Sequence, residues 1–237
     1  MQELKELVKA IDKHEAVNNQ FYQKWLRGPL SIEGLGVFVR NYWEWTFRFP
    51  EALAGLVANT QDITARLEYT KILYSEMGNG HLRNVHSRLF EEFCKKLSIA
   101  LGKPGLLNIE NLKKTAPLLA ETQKINAWQK ETYFNQYAIA AGAQLALEWQ
   151  AYTMIRKLYE GARNYMALWE NQDEFHEACE FFYVHIGEAE KEHKEESIIA
   201  ANKIIEAGAS FEDIKTGFCK NLELIGNFWN AIAKNID

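Results

Sequence analysis

Apolar residues recur at steps of three and four along most of the chain, the spacing of one buried face of an α-helix. Near the N-terminus this spacing joins Leu4, Leu7, Val8 and Ile11. Later segments continue it, and we find no convincing strand pattern. The hydrophobic pattern therefore predicts an all-α fold.

Helix-breaking residues divide the pattern into seven or eight helices. Gly28-Pro29 ends the first helical region and Ser31 begins the next, which Pro50 bends or restarts because proline lacks the N–H of a helix interior. Ser210 and Asp213 form a capping-box pattern that opens the last helix. Further helices are predicted between the polar break at 60–62 and the glycines at 78–80, and over about 81–101, 118–137, 140–158, 174–207 and 211–234, with a loop at 102–111.

Composition agrees with a single soluble helical domain over residues 1–237. The chain is 47% hydrophobic and 25% charged, as in ordinary globular proteins. Its 4 prolines and 14 glycines are few for an all-β protein, which needs many turns. No apolar run approaches the roughly 18 residues of a membrane span. A net charge of −5 argues against nucleic acid as a partner.

The cysteines and the N-terminus indicate a cytoplasmic protein. Cys94, Cys179 and Cys219 are widely separated and form no CxxC pair. We interpret them as buried structural thiols of a reducing compartment. The first 17 residues are amphipathic and too acidic for a signal or transit peptide.

Carboxylates and histidines near predicted helix ends are the candidates for chemistry. Glu76 precedes the glycine break at 78–80, and His86 follows it. Glu148 lies in an apolar stretch, where a buried carboxylate must be paired, protonated or bound to a metal. Helical bundles build di-iron sites from carboxylates and imidazoles on several helices, and such a ligand set suits iron or manganese.

A second histidine-containing segment lies in the predicted long helix. His185 and His193 flank three glutamates, Glu188, Glu190 and Glu192. These acids are either metal ligands or the solvated face of a surface helix. The case for a metal site depends on whether His185 and His193 come together in the fold with Glu76, His86 and Glu148.

Several short segments, in a fixed order, carry a resemblance to a known family. They lie at 19–25, 30–35, 41–43, 49–50, 73–78 and 86–90, followed by the histidine-containing helix. In their order and spacing the chain resembles the heme-oxygenase-like diiron oxidases and oxygenases. Within them it is most similar to the CADD-like branch, called after the chlamydial death-domain-associated protein.

The resemblance implies a heme-oxygenase-like bundle of seven to eight helices around a central pocket. It also implies two irons, held by three carboxylates and three histidines, that activate O2. Manganese is an alternative occupant, and a purified protein can lack the metal. The matching ligand positions are Glu76, His86, Glu148, His185, Glu190 and His193.

The identity of the sixth ligand is undecided, because the spacing of the two histidines departs from the family pattern. Seven residues separate His185 from His193, whereas the family pattern has six. In a regular α-helix, at 100° per residue, Glu190 lies about 140° from His185, but Glu188 and Glu192 lie within about 60° and 20°. We prefer Glu190, with a π-bulge absorbing the extra residue. A regular α-helix over 186–189 would contradict this choice.

The expected function is O2-dependent oxidation of a small organic substrate, amino-acid-like or fatty-acid-like. Glu44 and Arg48 are four residues apart, so they either pair with each other or hold the ammonium and carboxylate of an amino-acid-like substrate. Aromatic residues of the same stretch, and Trp149, are candidates to line the pocket. The oligomeric state stays open, a homodimer included.

Two alternatives compete with this hypothesis. One is a metal-free enzyme on the same fold, of the thiaminase or PQQ-synthesis type, and the other is a non-enzymatic protein-interaction module. A variant of the diiron hypothesis itself is the self-sacrificing synthesis of p-aminobenzoate, for which Tyr22 and Tyr42 match catalytic candidates. The lysine that this chemistry requires falls at Leu158, with Lys157 one position away.

Overall fold

The structure is a computed structural model, which describes residues 1–186 and 188–236 but not the side chains of residues 188–192. The described residues contain twelve α-helices and four short 3₁₀ helices, and no strand. The α-helices are α1 (Gln2–Val8), α2 (Gln20–Arg27), α3 (Ile32–Asn59), α4 (Ile63–Glu76), α5 (His86–Ala100), α6 (Ile109–Thr115), α7 (Ala120–Asn135), α8 (Tyr137–Ala162), α9 (Gln172–Ala178), α10 (Glu180–Ile186), α11 (Glu188–Glu206) and α12 (Phe211–Lys234). The 3₁₀ helices are Lys9–Lys13, Gly78–Gly80, Leu82–Asn84 and Arg163–Leu168. The predicted all-α class is confirmed.

The helices are more numerous than the seven or eight predicted because several segments are divided. The first region contains α1, a 3₁₀ helix and α2, and Cys179 separates α9 from α10. The segment predicted to be helical from His81 becomes α-helical only at His86. The predicted loop ends early, since α6 begins at Ile109.

Helix starts predicted from capping residues are confirmed. The Ser31 hydroxyl accepts the Gly34 N–H at 3.0 Å, and the Ser210 hydroxyl accepts the Glu212 N–H at 3.1 Å. Such contacts satisfy N–H groups that have no partner within the helix. Pro50, which was predicted to bend or restart a helix, lies inside the continuous 28-residue helix α3. It therefore does not restart a helix, and a bend is the alternative that stays a prediction.

Helix α8 is the centre of the packing. It contacts α2, α10, α11 and α12, and most of its residues are buried. Helix α3 packs against α4, α5 and α7 on another side of the same core. A helix that is apolar on most of its surface must be packed on all sides, which explains why α8 lies among so many other helices.

Aromatic rings fill the space between α2, α3, α5, α10 and α12. The ring of Tyr42 lies 5.6 Å from that of Trp229 and 6.2 Å from that of Phe181, centre to centre. Phe181 in turn lies 4.8 Å from the ring of His185. The aromatic core therefore extends directly to the candidate site.

The cysteines are only partly as expected. Cys94 and Cys179 are buried, and burial raises the pKa of Cys94 well above its usual value and that of Cys179 to about 12. Cys219, however, is exposed on α12, so its interpretation as a buried thiol is wrong. It lies on the polar face of an amphipathic helix, which periodicity alone could have indicated.

None of the helices that the structure describes has the length and apolar character needed to cross a bilayer.

Candidate metal centre

A tight turn brings Glu76 and His86 together. Gly78, Asn79 and Gly80 all have positive φ angles, of 67°, 53° and 80°. A Cβ atom on Gly78 would lie 2.5 Å from the backbone of Asn84, so only glycine fits there. The reversal places the end of α4 beside the start of α5, with Glu76 Oε2 3.0 Å from His86 Nδ1.

His185 completes a group of three potential ligands. Its ring centre lies 4.3 Å from that of His86, and one potential ligand atom from each of Glu76, His86 and His185 lies within 4.8 Å of the others. His185 Nδ1 donates to the carbonyl of Phe181 at 2.7 Å. This hydrogen bond leaves Nε2 as the lone-pair nitrogen, the arrangement that metal-binding histidines use.

The charges of this group suit a metal ion. Burial opposes ionisation of Glu76, but His86, His185 and His193 outweigh it and lower the Glu76 pKa to about 2. Burial and then His86 lower the His185 pKa to about 3. An ionised carboxylate and a neutral imidazole are the forms that bind metals, and Glu76 and His185 favour them. Burial opposes protonation of His86, but Glu76 outweighs it and raises the His86 pKa, so a metal ion that binds His86 displaces its proton.

Glu148 and His193 form a second group nearby. Both are buried, and Glu148 Oε2 lies 3.7 Å from His193 Nδ1. The amide of Gln144 donates to the other oxygen of Glu148, and the Tyr133 hydroxyl donates to Gln144 Oε1 at 3.0 Å. This hydrogen-bonded chain fixes Oε1 of Glu148 and directs Oε2 toward His193.

The two groups open onto one small cavity of about 60 Å³. Its lining residues are Tyr42, Trp45, Thr46, Phe49, Glu76, His86, Leu147, Glu148, Gln150, Ala151, Met154, Ile155, Phe181 and His185. Of the aromatic residues predicted to line a pocket, Tyr42, Trp45 and Phe49 do so. Trp43 and Phe47 instead stack on each other, 4.7 Å apart, beside a separate surface groove.

The acid predicted as the sixth ligand lies outside the described side chains. This applies to Glu190 and to its alternatives Glu188 and Glu192. The expected π-bulge over 186–189 includes Gly187, which the structure does not describe. The sixth ligand therefore stays a prediction.

Glu44 and Arg48, for which ion pairing and substrate binding were the two alternatives, lie away from this cavity. Glu44 accepts from Arg40 at 2.7 Å and lies 3.4 Å from Arg48. Both line a shallow groove against α7. The structure thus brings them together as an ion pair but does not bring them to the candidate metal ligands.

The candidate tyrosines occupy different positions. Tyr42 lines the cavity, whereas Tyr22 is buried against Trp229, with ring centres 5.1 Å apart. Lys157 lies over the Tyr22 ring at 5.3 Å, and its ammonium binds the carbonyl of Val17. Lys157 is therefore turned toward the N-terminal segment rather than the cavity.

The other three histidines stand apart from the candidate ligands. His14 accepts the N–H of Ala16 at 3.0 Å, His81 is exposed, and His176 is exposed and bonded to Tyr183. Gln144 and Tyr133 were not predicted from the sequence, although the four-residue step from Gln144 to Glu148 on a helix is a usable signal.

The donor set fits iron. Two carboxylates and two imidazoles line the cavity, and a third imidazole, that of His193, lies beside Glu148. No cysteine is among the described residues that line the cavity, and mixed O and N ligands suit iron or manganese. The candidate ligands come from α4, α5, α8, α10 and α11. This is the pattern in which helical bundles hold two metal ions.

Comparisons with known proteins agree with the fold and the donor set. A sequence model of a family described as iron-containing redox enzymes matches residues 37–225. A 4-aminobenzoate synthase of Chlamydia pneumoniae is 23% identical over 163 residues, covering 68% of this chain and 67% of the relative.

Two solved structures share the fold at low sequence identity. A TenA homologue from Pseudomonas syringae pv. tomato superposes with a TM-score of 0.74 at 13% identity, covering 98% of this chain and 92% of that one. A CADD-like protein of unknown function from Nostoc punctiforme gives 0.69 at 14% identity, covering 99% and 96%. The predicted heme-oxygenase-like fold is confirmed, and these similarities agree with the resemblance to the CADD-like branch.

Proposed function

The chain belongs to the family of iron-containing redox enzymes, and on that basis we propose that it is a non-heme diiron oxidase that uses O2 to oxidise a small organic molecule. One observation carries the proposal. Glu76, His86 and His185 converge on the cavity that Glu148 also lines, with His193 beside Glu148. Two such groups provide ligands for two ions.

Each of the two groups of candidate ligands would hold one iron. Glu76, His86 and His185 would hold one iron, while Glu148, His193 and one acid of 188–192 would hold the other. Bound iron supplies the electrons and open coordination positions that activate O2. Phe181 orients the His185 ring through its carbonyl, and the apolar cavity wall limits the access of water.

A metal-free enzyme of the thiaminase type is the second candidate, because the TenA homologue shares the fold. That activity has no need of convergent imidazoles and carboxylates. Iron binding at the named residues therefore distinguishes the two functions.

The 4-aminobenzoate synthase of Chlamydia pneumoniae suggests a third possibility, self-sacrificing synthesis of p-aminobenzoate. Leu158 occupies the position of the required lysine and is fully buried. The neighbouring Lys157 binds the carbonyl of Val17. This geometry supports oxidation of a separate substrate instead.

The test is anaerobic titration with Fe(II), followed by exposure to O2. We expect uptake of about two equivalents per chain and a transient visible absorption after O2 addition. His185→Ala should lower the uptake, because it removes a ligand of the first group. His81→Ala is the matched control, since His81 is exposed and distant from the cavity.

Two outcomes would contradict the proposal. One is uptake of no more than one equivalent by the wild type. The other is equal uptake by the wild type and His185→Ala, which would place the iron elsewhere.

A further inference from the structure

Helix α4 has an apolar outer face in addition to the face that packs on the core. Five residues recur along it at alternating steps of four and three, the spacing of a coiled-coil seam. We call them the α4 stripe: Ile63, Leu67, Thr70, Tyr74 and, at the C-cap, Met77. All five are exposed, so this seam is formed but nothing in the described part of the chain covers it.

The α4 stripe lies opposite the side of α4 that faces the core. At about 100° per residue, the stripe residues fall within about 40° of a common direction, and the buried residues lie roughly 140–240° from it. The buried residues are Ala65, Glu68, Tyr69 and Ile72. The helix thus has one side that the core covers and one apolar side that the described residues leave exposed.

The exposed area of the α4 stripe is sufficient for a specific contact. The exposed fractions are 72% for Ile63, 53% for Leu67, 57% for Tyr74 and 46% for Met77. Together these four residues present about 500 Å², in the range at which an apolar patch on a protein surface marks an interaction site. A standard interface buries about 800 Å² on each partner, so the stripe and its polar edges provide an area of that order.

The charged groups beside the α4 stripe are engaged by other groups of the same chain. Lys71 Nζ binds Glu68 Oε2 at 2.7 Å and lies 3.7 Å from Glu196 Oε1. Arg66 Nε donates to the carbonyl of Thr60 at 2.8 Å. The stripe itself contains no charged residue, so it fits a partner surface that is equally apolar and uncharged.

A second copy of the chain presents such a surface, and the order of the stripe residues suits contact with itself. In an antiparallel pair, Tyr74 of one copy lies against Ile63 of the other, and the small Thr70 near the two-fold axis lets the helices approach. The Tyr74 hydroxyl donates to the carbonyl of Asn79 at 2.8 Å, which leaves the ring for this contact. A parallel pair would instead place Tyr74 against itself and align the two helix dipoles.

We propose that the chain forms a homodimer through the α4 stripe, with the two α4 helices antiparallel. The contact is isologous, so each stripe residue is buried once in each copy. Its C-terminal end, Met77, directly follows the candidate metal ligand Glu76, so α4 connects the dimer contact to the metal centre. The inference does not depend on the proposed oxidase function.

The first test measures the oligomeric state by sedimentation velocity at about 1 to 100 µM protein. We expect the wild type to dimerise within this range. Leu67→Lys should raise the Kd of the dimer at least about 100-fold, because the contact loses two leucines and would desolvate two lysines. Ile99→Lys is the matched control, since Ile99 is 56% exposed on α5 and lies outside the stripe. Circular dichroism checks that both variants are folded.

The second test determines the orientation by cross-linking. Single cysteines are introduced into Cys219→Ser, because Cys219 is exposed whereas Cys94 and Cys179 are buried. A short bismaleimide should join Thr70→Cys to its own copy, since this position lies near the two-fold axis. It should not join Ile63→Cys to its own copy, because an antiparallel pair separates these positions by about 15–20 Å along the helices.

The proposal is overturned if the wild type stays monomeric over this range, which would leave the α4 stripe to a different partner. It is also overturned if Leu67→Lys dimerises as the wild type does, or if Ile99→Lys weakens the dimer equally. Cross-linking of Ile63→Cys to its own copy, or failure of Thr70→Cys to cross-link, would contradict the antiparallel contact. None of these measurements requires iron, so their outcome is separate from that of the iron titration.

Discussion

Each buried charge at the candidate centre has a neighbour that compensates it. Glu76 lies against His86, and Glu148 accepts from Gln144 while lying near His193. An ionised carboxylate without such partners would be strongly destabilising in the interior. The pairing with His86 therefore explains how Glu76 stays charged and available as a ligand, and Gln144 and His193 give the Glu148 carboxylate its polar neighbours.

Gln144 should act as a positioning residue for Glu148. Gln144→Leu removes the hydrogen bond that fixes Glu148 Oε1 and leaves the Tyr133 hydroxyl without its acceptor. Loss of such outer contacts costs about 10- to 100-fold in metal affinity. The affinity is measured by competition with an Fe(II) chelator under anaerobic conditions.

The control for this prediction is Gln123→Leu, because Gln123 is exposed. It should bind Fe(II) as the wild type does. An unchanged Fe(II) affinity in folded Gln144→Leu would contradict the positioning role of Gln144.

The three thiols should differ in reactivity. Burial raises the pKa values of Cys94 and Cys179, so they contain almost no thiolate at pH 8, and Cys219 is exposed. Iodoacetamide should therefore modify only Cys219 in the native protein and all three in denaturant. Peptide mass spectrometry identifies the sites, and rapid modification of Cys94 in native protein would contradict the structure.

Among the helices, the α8–α12 contact controls the position of the site. A Cβ on Gly142 would lie 1.8 Å from the carbonyl oxygen of Ile214, and one on Gly217 equally close to that of Ile139. The two backbones therefore touch, which only glycine permits. Since α8 also carries Glu148, this contact fixes how far a candidate metal ligand reaches into the core.

Gly142→Ala should destabilise the protein, because α8 and α12 must separate to admit the methyl group. Overpacking of this kind costs about 3 kcal/mol. The free energy of unfolding is measured by urea denaturation followed by circular dichroism. Gly28→Ala is the matched control, since nothing lies within 4 Å of its Cβ and its φ of 173° suits any residue. Equal stability of the two variants would contradict the close packing.

Across the whole molecule, the features that could be predicted from the sequence are those that depend on residues close together along the chain. Ser31 and Ser210 cap helices because the acceptor and the N–H are close along the chain. The glycine turn likewise predicted a break between Glu76 and His86. Helix spacing alone, however, could not show that this turn brings the two side chains to 3.0 Å.

Features that depend on packing between helices could not be predicted. The ion pair of Glu44 with Arg48 was foreseen as one alternative, but its distance from the cavity follows from the rotation of α3 in the core. The exposure of the α4 stripe likewise depends on where the neighbouring helices pack. Burial is a property of the assembled molecule and is not encoded in any one segment.

Metal binding should stabilise the whole bundle, because the described ligands come from five different helices. A ligand at about 100 times its Kd adds about 2.7 kcal/mol, which raises the Tm of a chain of this size by about 5–10 °C. Anaerobic scanning calorimetry with Fe(II), and with Mn(II) as a substitute, measures the shift. Glu148→Gln should reduce the shift by weakening the second group, whereas Glu131→Gln, at an exposed acid on α7, should not. Equal shifts in these two variants, or none in the wild type, would contradict the assignment, since a metal bound elsewhere would not distinguish them.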